Sequence, residues 1–331
     1  MDRKKSHIDL AAAQQSSQST FDSIQLQHCA LPTINFTDID LSTSFLGFQL
    51  AAPIMISSMT GGTRESIAIN RNLAEASREC GIAMGVGSQR ISLEGVSDEG
   101  LQRELRKWIG SAPLFGNVGL ANLIKWRQPN CLNQLAESIQ ADAMIIHLNP
   151  MQEIFQDHGD TDWSGSLDCL AACIAKCDIP VIVKEVGMGI TPSVAKLCQQ
   201  AGAAAIDIAG SGGTSFIDIE GALAQDPRRQ HAAQVFREWG HTTAELLRHR
   251  DYQSINLPII ASGGIRHGLD IAKALALGAN LTGIAGLILN SARVSTTECI
   301  NTIEQLKFEL QIACWGTGCQ RPSELKKVHL S

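Results

Sequence analysis

The chain of 331 residues is poor in aromatics, 5% with a single Tyr, so platforms for stacking nucleic-acid bases are not expected. It also lacks an excess of positive charge. The 27 Lys and Arg stand against 33 Asp and Glu, and a formal charge of −6 creates no field that would attract a polyanion. Nucleic acid is therefore not expected as a partner. No apolar run reaches the ~18 residues of a membrane span: the longest, 275–289, is broken by Asn280 and Thr282. Residues 1–20 run basic and then Gln/Ser-rich, without the apolar stretch that an export signal needs. The ten Cys include no CxxC pair, and many unpaired thiols fit a reducing compartment, so a cytoplasmic protein is expected. No GxGxxG opens a helix after the first apolar segment, which argues against a dinucleotide-binding doubly wound sheet, the alternative fold.

The 44% of hydrophobic residues is enough to offset chain entropy, so disorder is excluded for the bulk of the chain. Those residues recur in eight short, β-branched segments: 53–58, 82–87, 114–119, 143–148, 181–186, 205–210, 259–264 and 281–286. Near-continuous apolar character suits strands buried on both faces, as in a parallel sheet. Helix-like stretches such as 64–80 and 192–201 lie between them. The latter carries Thr191 as an expected N-cap, Pro192 in the first turn and Gly202 just past the end. Length over ~150 would suggest two domains. Strand–helix alternation repeated eight times instead predicts one α/β unit, a (β/α)8 TIM barrel, across residues 1–331. Residues 1–52 form an N-terminal extension, 53–286 hold the barrel strands, and 287–331 close the fold with helix. Residues 14–20 read as a flexible polar segment and 31–50 as an ordered lead-in. The longest interval, 211–258 after the sixth strand, predicts an extended loop beyond one helix, at the face where such barrels place their sites.

Gly is abundant, 29 residues, and its positions matter. Gly263-Gly264 and Gly283 to Gly286 end the last two strands, where barrels hold a phosphate against a helix N-terminus; the plainer alternative is tight turns. Polar residues at the ends of apolar strands are a second signal, since burying them unpaired is costly. Lys184 ends the fifth segment, with either a cofactor or a carboxylate such as Glu185 or Asp207 as its partner. Thr60, Ser88 and Asn117 sit at equivalent ends. His147 and Asn149 alternate with Leu148 and can both face the barrel mouth, followed by Gln152 and Glu153. A carboxylate there could hold Mg²⁺. Thr214 and Glu220 enter the long interval, Glu220 being either a site residue or a solvated carboxylate. Arg3, Lys4 and His7 are either a solvated tail or a cover for an anionic substrate. Cys169, Cys173 and Cys177, spaced four apart, share a helix face and read as core rather than metal ligands.

These residues resemble type 2 isopentenyl diphosphate isomerase, a flavin-dependent family, along almost the whole chain. The similarity is carried by the Arg-Lys-x-x-His terminus and by Ile56 to Gly62, Gly87 to Arg90 and Val183 to Gly187. It continues through Gly212 to Ser215, Phe236 to Gly240 and Ser262 to Arg266, and most specifically through His147-Leu148-Asn149-x-x-Gln152-Glu153. Phe216 is a departure, standing where the family pattern has Trp. The resemblance implies an FMN-binding barrel that interconverts isopentenyl and dimethylallyl diphosphate by a 1,3-proton shift, with reduced FMN, NADPH and Mg²⁺. It implies that Ser58, Met59, Thr60, Ser88, Asn117, Lys184, Thr214, Gly263, Gly264, Ala285 and Gly286 hold FMN. Arg3, Lys4, His7, Arg90, His147, Asn149 and Gln152 would hold the substrate, Glu153 the metal, and Gln152, Glu220 and His147 would be catalytic. It further implies a homo-oligomer, tetramer or octamer. Two other classes stay open: an FMN-dependent oxidoreductase of the 2-hydroxy-acid type, for which Arg266 and His267 are candidate residues, and a non-catalytic flavin- or phosphate-binding protein.

Overall fold

The computed structural model describes residues 3–14, 19–59, 64–93, 101 and 103–330. Thr60, Gly61 and Gly62 lie outside the described residues, as do the side chains of Arg3 and Lys4 and the interior of the 14–20 segment. The expected barrel is present. A hairpin, β1 (Thr43–Phe45) and β2 (Phe48–Leu50), precedes β3 (Ile54–Ile56), β4 (Ala83–Gly85), β5 (Leu114–Gly119) and β6 (Ala143–Leu148). Then come β7 (Val181–Glu185), β8 (Ala205–Asp207), β9 (Ile259–Ser262) and β10 (Leu281–Ile284). Strands β3 to β10 pair in parallel and in chain order, and β10 returns to β3 to close the ring.

The strands alternate between two cores, which explains their unbroken hydrophobicity. Val181 and Val183 pack outward with the helices, whereas Ile182 between them packs inside the barrel. Met144 and Ile146 face out in the same way, and Ala143 and Ile145 face in. Both faces are covered, so both must be apolar. The helices at 64–80 and 192–201 form as Arg64–Cys80 and Pro192–Gln200, with Gly202 at φ +94° just beyond the second. Thr191 stands at the N-cap position but does not cap the helix. Its hydroxyl pairs with Ser193 Oγ at 3.0 Å, a local partner that displaces the backbone amide.

The interval 211–258 also differs from expectation. It holds three helices, Phe216–Leu223, Pro227–Val235 and Thr243–Arg248, in place of one helix and a long loop. Each starts on a side-chain cap: Ser215 accepts from Asp218 N–H, Asp226 from Arg228 N–H, and Thr242 with Glu245 forms a capping box. Cys173 is buried in the core and burial pushes its thiol up to about 12, so it stays protonated. Among the described residues no group of three His, Cys, Asp or Glu could hold a metal. No helix among them is long and apolar enough to cross a membrane.

The lead-in at 31–50 ends in the β1–β2 hairpin, whose turn puts Leu46 at φ +49° and Gly47 at +86°, the primed geometry of tight hairpins. The hairpin plugs the end where the strands begin. Phe45 and Leu50 join Met55, Phe115, Ile182 and Leu281 in the inner core, and Phe48 meets Phe115 at 6.3 Å between ring centroids. Phe45 is 2% exposed, and truncating a buried Phe costs ~3–5 kcal/mol. Phe45→Ala is therefore expected to lower stability by about that amount in urea unfolding while sparing ligand binding at the opposite end. A change below about 1 kcal/mol would remove the hairpin from the core.

Candidate functional site

Side chains two residues apart on a strand share a face. Moving two residues on from the inward apolar layer of Met55, Ala83, Phe115, Ile145, Ile182, Ala205, Ile260 and Leu281 therefore gives the next inward layer. That layer is Ser57, just past the end of β3, then Gly85, Asn117, His147, Lys184, Asp207, Ser262 and Gly283 from the other seven strands, and it is polar or Gly throughout. Six of these, Ser57, Asn117, His147, Lys184, Ser262 and Gly283, line the floor of a cavity of about 570 Å³ that opens where the strands end, with Gly85 and Asp207 outside its lining.

Members of this floor pair with one another. His147 Nδ1 lies 2.9 Å from Asn117 Oδ1, so with an amide oxygen facing it Nδ1 carries the proton and Nε2 keeps its lone pair. Burial, with the Lys184 charge as a lesser cause, lowers the His147 pKa to about 4, and the ring is neutral at pH 7. Lys184 Nζ donates to the Glu185 carbonyl at 2.8 Å and lies 3.4 Å from Asp207 Oδ2, so Asp207 is the carboxylate beside it. The Glu185 carboxylate is used elsewhere. It accepts from the N–H groups of Val186, Gly187, Met188 and Gly189 at 2.5–3.1 Å and so shapes the turn that brings Val186 and Gly187 to the cavity.

The rim is built of backbone. Gly263 has φ +92°, and a Cβ there would stand 2.0 Å from the Gly210 carbonyl oxygen. Gly213 packs against Gly264 so closely that a Cβ would sit 3.1 Å from its nitrogen. Beside this cradle, helix Gly286–Val294 starts at Ala285 with no side-chain cap and no acidic residue in its first turn. Free N–H groups at a helix start, with glycines that let a ligand approach, make an anion site. The hydroxyls of Ser57 and Ser58 also face the cavity without hydrogen-bond partners. The cavity thus offers an anion-accepting rim and a polar floor, with Ile8, Ala11, Met59, Val186 and Ile265 in its apolar lining.

Its cover is the helix Arg3–Ala13, from which His7, Ile8 and Ala11 line the cavity. Gln14 clasps Ser215, accepting from its N–H at 2.8 Å and donating to its carbonyl at 3.3 Å. Ser19 Oγ donates to the Gly264 carbonyl at 3.1 Å. Glu220, fully buried on the helix Phe216–Leu223, gathers distant parts of the chain. Its Oε1 accepts from Gln152 Nε2 and Gln156 Nε2, each at 2.9 Å, and lies 3.4 Å from His7 Nε2.

Of the expected residues, His7, Ser58, Met59, Ser88, Asn117, His147, Gln152, Lys184, Thr214, Gly263, Gly264, Ala285 and Gly286 line the cavity. Glu220 stands one contact behind, through Gln152 and His7. Asn149 and Glu153 form a neighbouring group. Asn149 Nδ2 donates to Glu153 at 2.7 Å, while the buried Asn149 Oδ1 has no hydrogen-bond partner. Arg90 is exposed and does not line the cavity. Gln14 lines it although its sequence context did not single it out, and Ser57, Ser262 and Arg266 line it although only their motifs, or for Arg266 the oxidoreductase alternative, had been named. The two-residue step along each strand would have found Ser57 and Ser262. The Gln14 clasp spans too much sequence to be read from spacing. Arg266 is held by Asp22 and Asp270, and His267 Nδ1 accepts from Asp270 N–H at 3.2 Å as a helix cap. The pair therefore has structural work and is not a free base with a substrate clamp.

The FMN-dependent dehydrogenase family matches residues 5–113 and 119–331. An isopentenyl-diphosphate delta-isomerase of Vibrio parahaemolyticus is 46% identical, covering 98% of this chain and 97% of that protein. One of Methanothermobacter thermautotrophicus is 40% identical, covering 98% and 91%. Among solved structures, an active chimera of (S)-mandelate dehydrogenase superposes with TM-score 0.71 at 14% identity, covering all of this chain and 92% of that one. A mandelate oxidase variant gives 0.65 at 15% identity, covering 100% and 99%. At such identity these two speak for the barrel alone. Fold, cavity and relatives agree that the chain belongs to the FMN-dependent dehydrogenase family and, within it, to the type 2 isopentenyl-diphosphate delta-isomerases.

Proposed function

We propose that the chain interconverts isopentenyl and dimethylallyl diphosphate in this cavity with FMN bound. The observation that carries the reading is Glu220. It draws the N-terminal His7, the Gln152 of the His-Leu-Asn-x-x-Gln-Glu stretch and the helix after the sixth barrel strand onto one carboxylate beside the glycine cradle.

FMN fits the residues present. The rim glycines, Thr214 and the start of the helix Gly286–Val294 would take its phosphate. Ser58, Met59, Ser88, Asn117 and Lys184 would line its ring system, with Lys184 toward an anionic edge. When bound and reduced, FMN supplies an electron-rich surface and an exchangeable proton. The protein's own part is to bind, orient and exclude water. Protonating an isolated alkene develops a tertiary cation that water would trap. Ile8 and Ala11 on the covering helix and the apolar wall keep water out, and neutral His147 adds no positive charge near that cation. Gln152, held by Glu220, would position the reacting carbons, and Glu220, fully buried against Gln152 and His7, is proposed as the acid–base group behind it. Arg3, Lys4, His7, Arg90 and Asn149 are proposed to grip the diphosphate. Glu153 is proposed to hold Mg²⁺, which commonly takes one or two carboxylates plus substrate phosphate; the unpartnered Asn149 Oδ1 beside it supports an oxygen-rich site. NADPH is proposed as the reductant. The exposed stripe of Phe308, Ile312 and Trp315 on the helix Thr296–Thr317 supports a homo-oligomer. The free cysteines support a cytoplasmic setting.

Mixed anaerobically with FMN, NADPH, Mg²⁺ and isopentenyl diphosphate, the protein is expected to form dimethylallyl diphosphate without stoichiometric NADPH consumption. No product from enzyme with demonstrably reduced, bound flavin overturns the reading, and stoichiometric NADPH loss points to an oxidoreductase. Glu153→Gln is expected to cut turnover at least tenfold and to raise the Mg²⁺ requirement without releasing FMN. Unchanged kinetics would remove Glu153 from the metal site. The depressed His147 pKa adds a pH dependence. Unfolded His binds its proton near 6.5 and the folded ring only near 4, so falling pH favours the unfolded chain between those values. The apo-protein is expected to lose about 1.4 kcal/mol per pH unit from this group across that window, and His147→Gln to lose correspondingly less. Identical pH profiles in urea unfolding would contradict a neutral, buried ring.

A further inference from the structure

We propose that Asp207 is a positioning residue which, through Lys184, sets how strongly the cavity favours reduced, anionic FMN over the oxidised form. The inference rests on FMN occupying this cavity and concerns a residue outside its lining. Asp207 is 1% exposed and sits at the last position of β8, directly opposite Lys184 on β7. Lys184 and Ser262 line the cavity, and Asp207 stands behind both. Ser262 Oγ donates to Asp207 Oδ1 at 2.6 Å and anchors the carboxylate. The other oxygen, Oδ2, is buried without a hydrogen bond and faces the Lys184 ammonium at 3.4 Å.

This arrangement gives the floor a defined charge balance. Of its inward layer, Ser57, Gly85, Asn117, Ser262 and Gly283 carry no charge, and His147 is neutral at pH 7. Lys184 and Asp207 remain, equal and opposite. Charges a few ångströms apart in a poorly solvated interior act strongly on a third charge beside them. An anionic ligand at Lys184 therefore meets an ammonium partly cancelled from behind, with the Ser262 hydroxyl moderating that cancellation. A carboxylate kept only to hold the barrel together would leave the redox preference of a bound flavin untouched. One that tunes Lys184 would move it.

The test is the two-electron midpoint potential of the FMN-loaded enzyme at pH 7, read by spectroelectrochemistry. Asp207→Asn keeps the shape and an acceptor for Ser262 but removes the negative charge. It is expected to favour bound reduced FMN over oxidised FMN at least tenfold more than wild type does, a rise of about 30 mV for a two-electron couple. Ser262→Ala leaves both charges and removes the hydroxyl that offsets the carboxylate, so a smaller shift in the opposite direction is expected. With FMN bound, an unchanged or lowered potential in Asp207→Asn overturns the proposal. Should that variant not fold, an unchanged or raised potential in Ser262→Ala overturns it equally. Wild-type protein that binds no FMN overturns the cofactor assignment itself, an outcome distinct from either.

Discussion

Everything at the working end follows from one constraint: inward side chains of a closed parallel barrel stack in layers, and a polar layer buried there must find partners. Strand β7 shows the switch, with Ile182 inside the apolar core and Lys184 one step above it. Some of the polar groups satisfy each other, as Asn117 does His147 and Ser262 does Asp207. Others, the hydroxyls of Ser57 and Ser58, are left facing the cavity. A protein that buries hydroxyls unpaired loses free energy unless something else supplies the bonds. The unsatisfied groups therefore mark where a ligand completes the floor. The same burial keeps His147 uncharged and confines the floor's charge to the Lys184–Asp207 pair.

Rim and cover depend on each other in a comparable way. Gly210 and Gly263 meet at a distance no side chain would allow, and Gly213 rests on Gly264. Loops that close have little side-chain packing to hold them. The N-terminal segment supplies the missing restraint by clasping Ser215 through Gln14 and the Gly264 carbonyl through Ser19. Arg293 and Asp9 add an ion pair between the cover and the helix Gly286–Val294. The cover therefore both shuts the cavity and fixes the cradle that it shuts.

The eight strands were legible because hydrophobic burial on two faces leaves a run that few other structures need. The residues at their ends were legible for the same reason, since Lys184 or Asn117 is conspicuous in such a run. What escaped was governed by geometry rather than composition. Three short helices between β8 and β9 were missed because their starts are set by Ser215, Asp226 and Thr242, whose side chains act only once the backbone has turned. Thr191 shows the converse: a residue of the right type at the right place that spends its hydroxyl on Ser193. The plugging hairpin is too short for periodicity to reveal, and its Leu46 takes a backbone conformation that composition would not suggest. Glu220 could not be told from a solvated loop carboxylate by its own context, because each of its partners comes from another part of the chain.

The barrel itself does not choose the reaction, since mandelate oxidase and (S)-mandelate dehydrogenase chains share it at 14–15% identity. Choice lies in how the late loops and the terminus are used. Hydride chemistry on a hydroxy acid needs a base and a cationic clamp free to meet substrate. In this chain Arg266 is held between Asp22 and Asp270, and His267 caps the helix Gly268–Ala276. Those groups secure the N-terminal segment and a barrel helix. The polar side chains that face the covered cavity are mostly amides, hydroxyls and imidazoles; its cations are Lys184, matched by Asp207 behind it, and Arg266, matched by Asp22 and Asp270. A proton shift through a cation needs surroundings that hold the reactant still, keep water away and add little charge of their own. The layer that burial imposed on the barrel already meets those terms, so the cover had only to be added above it.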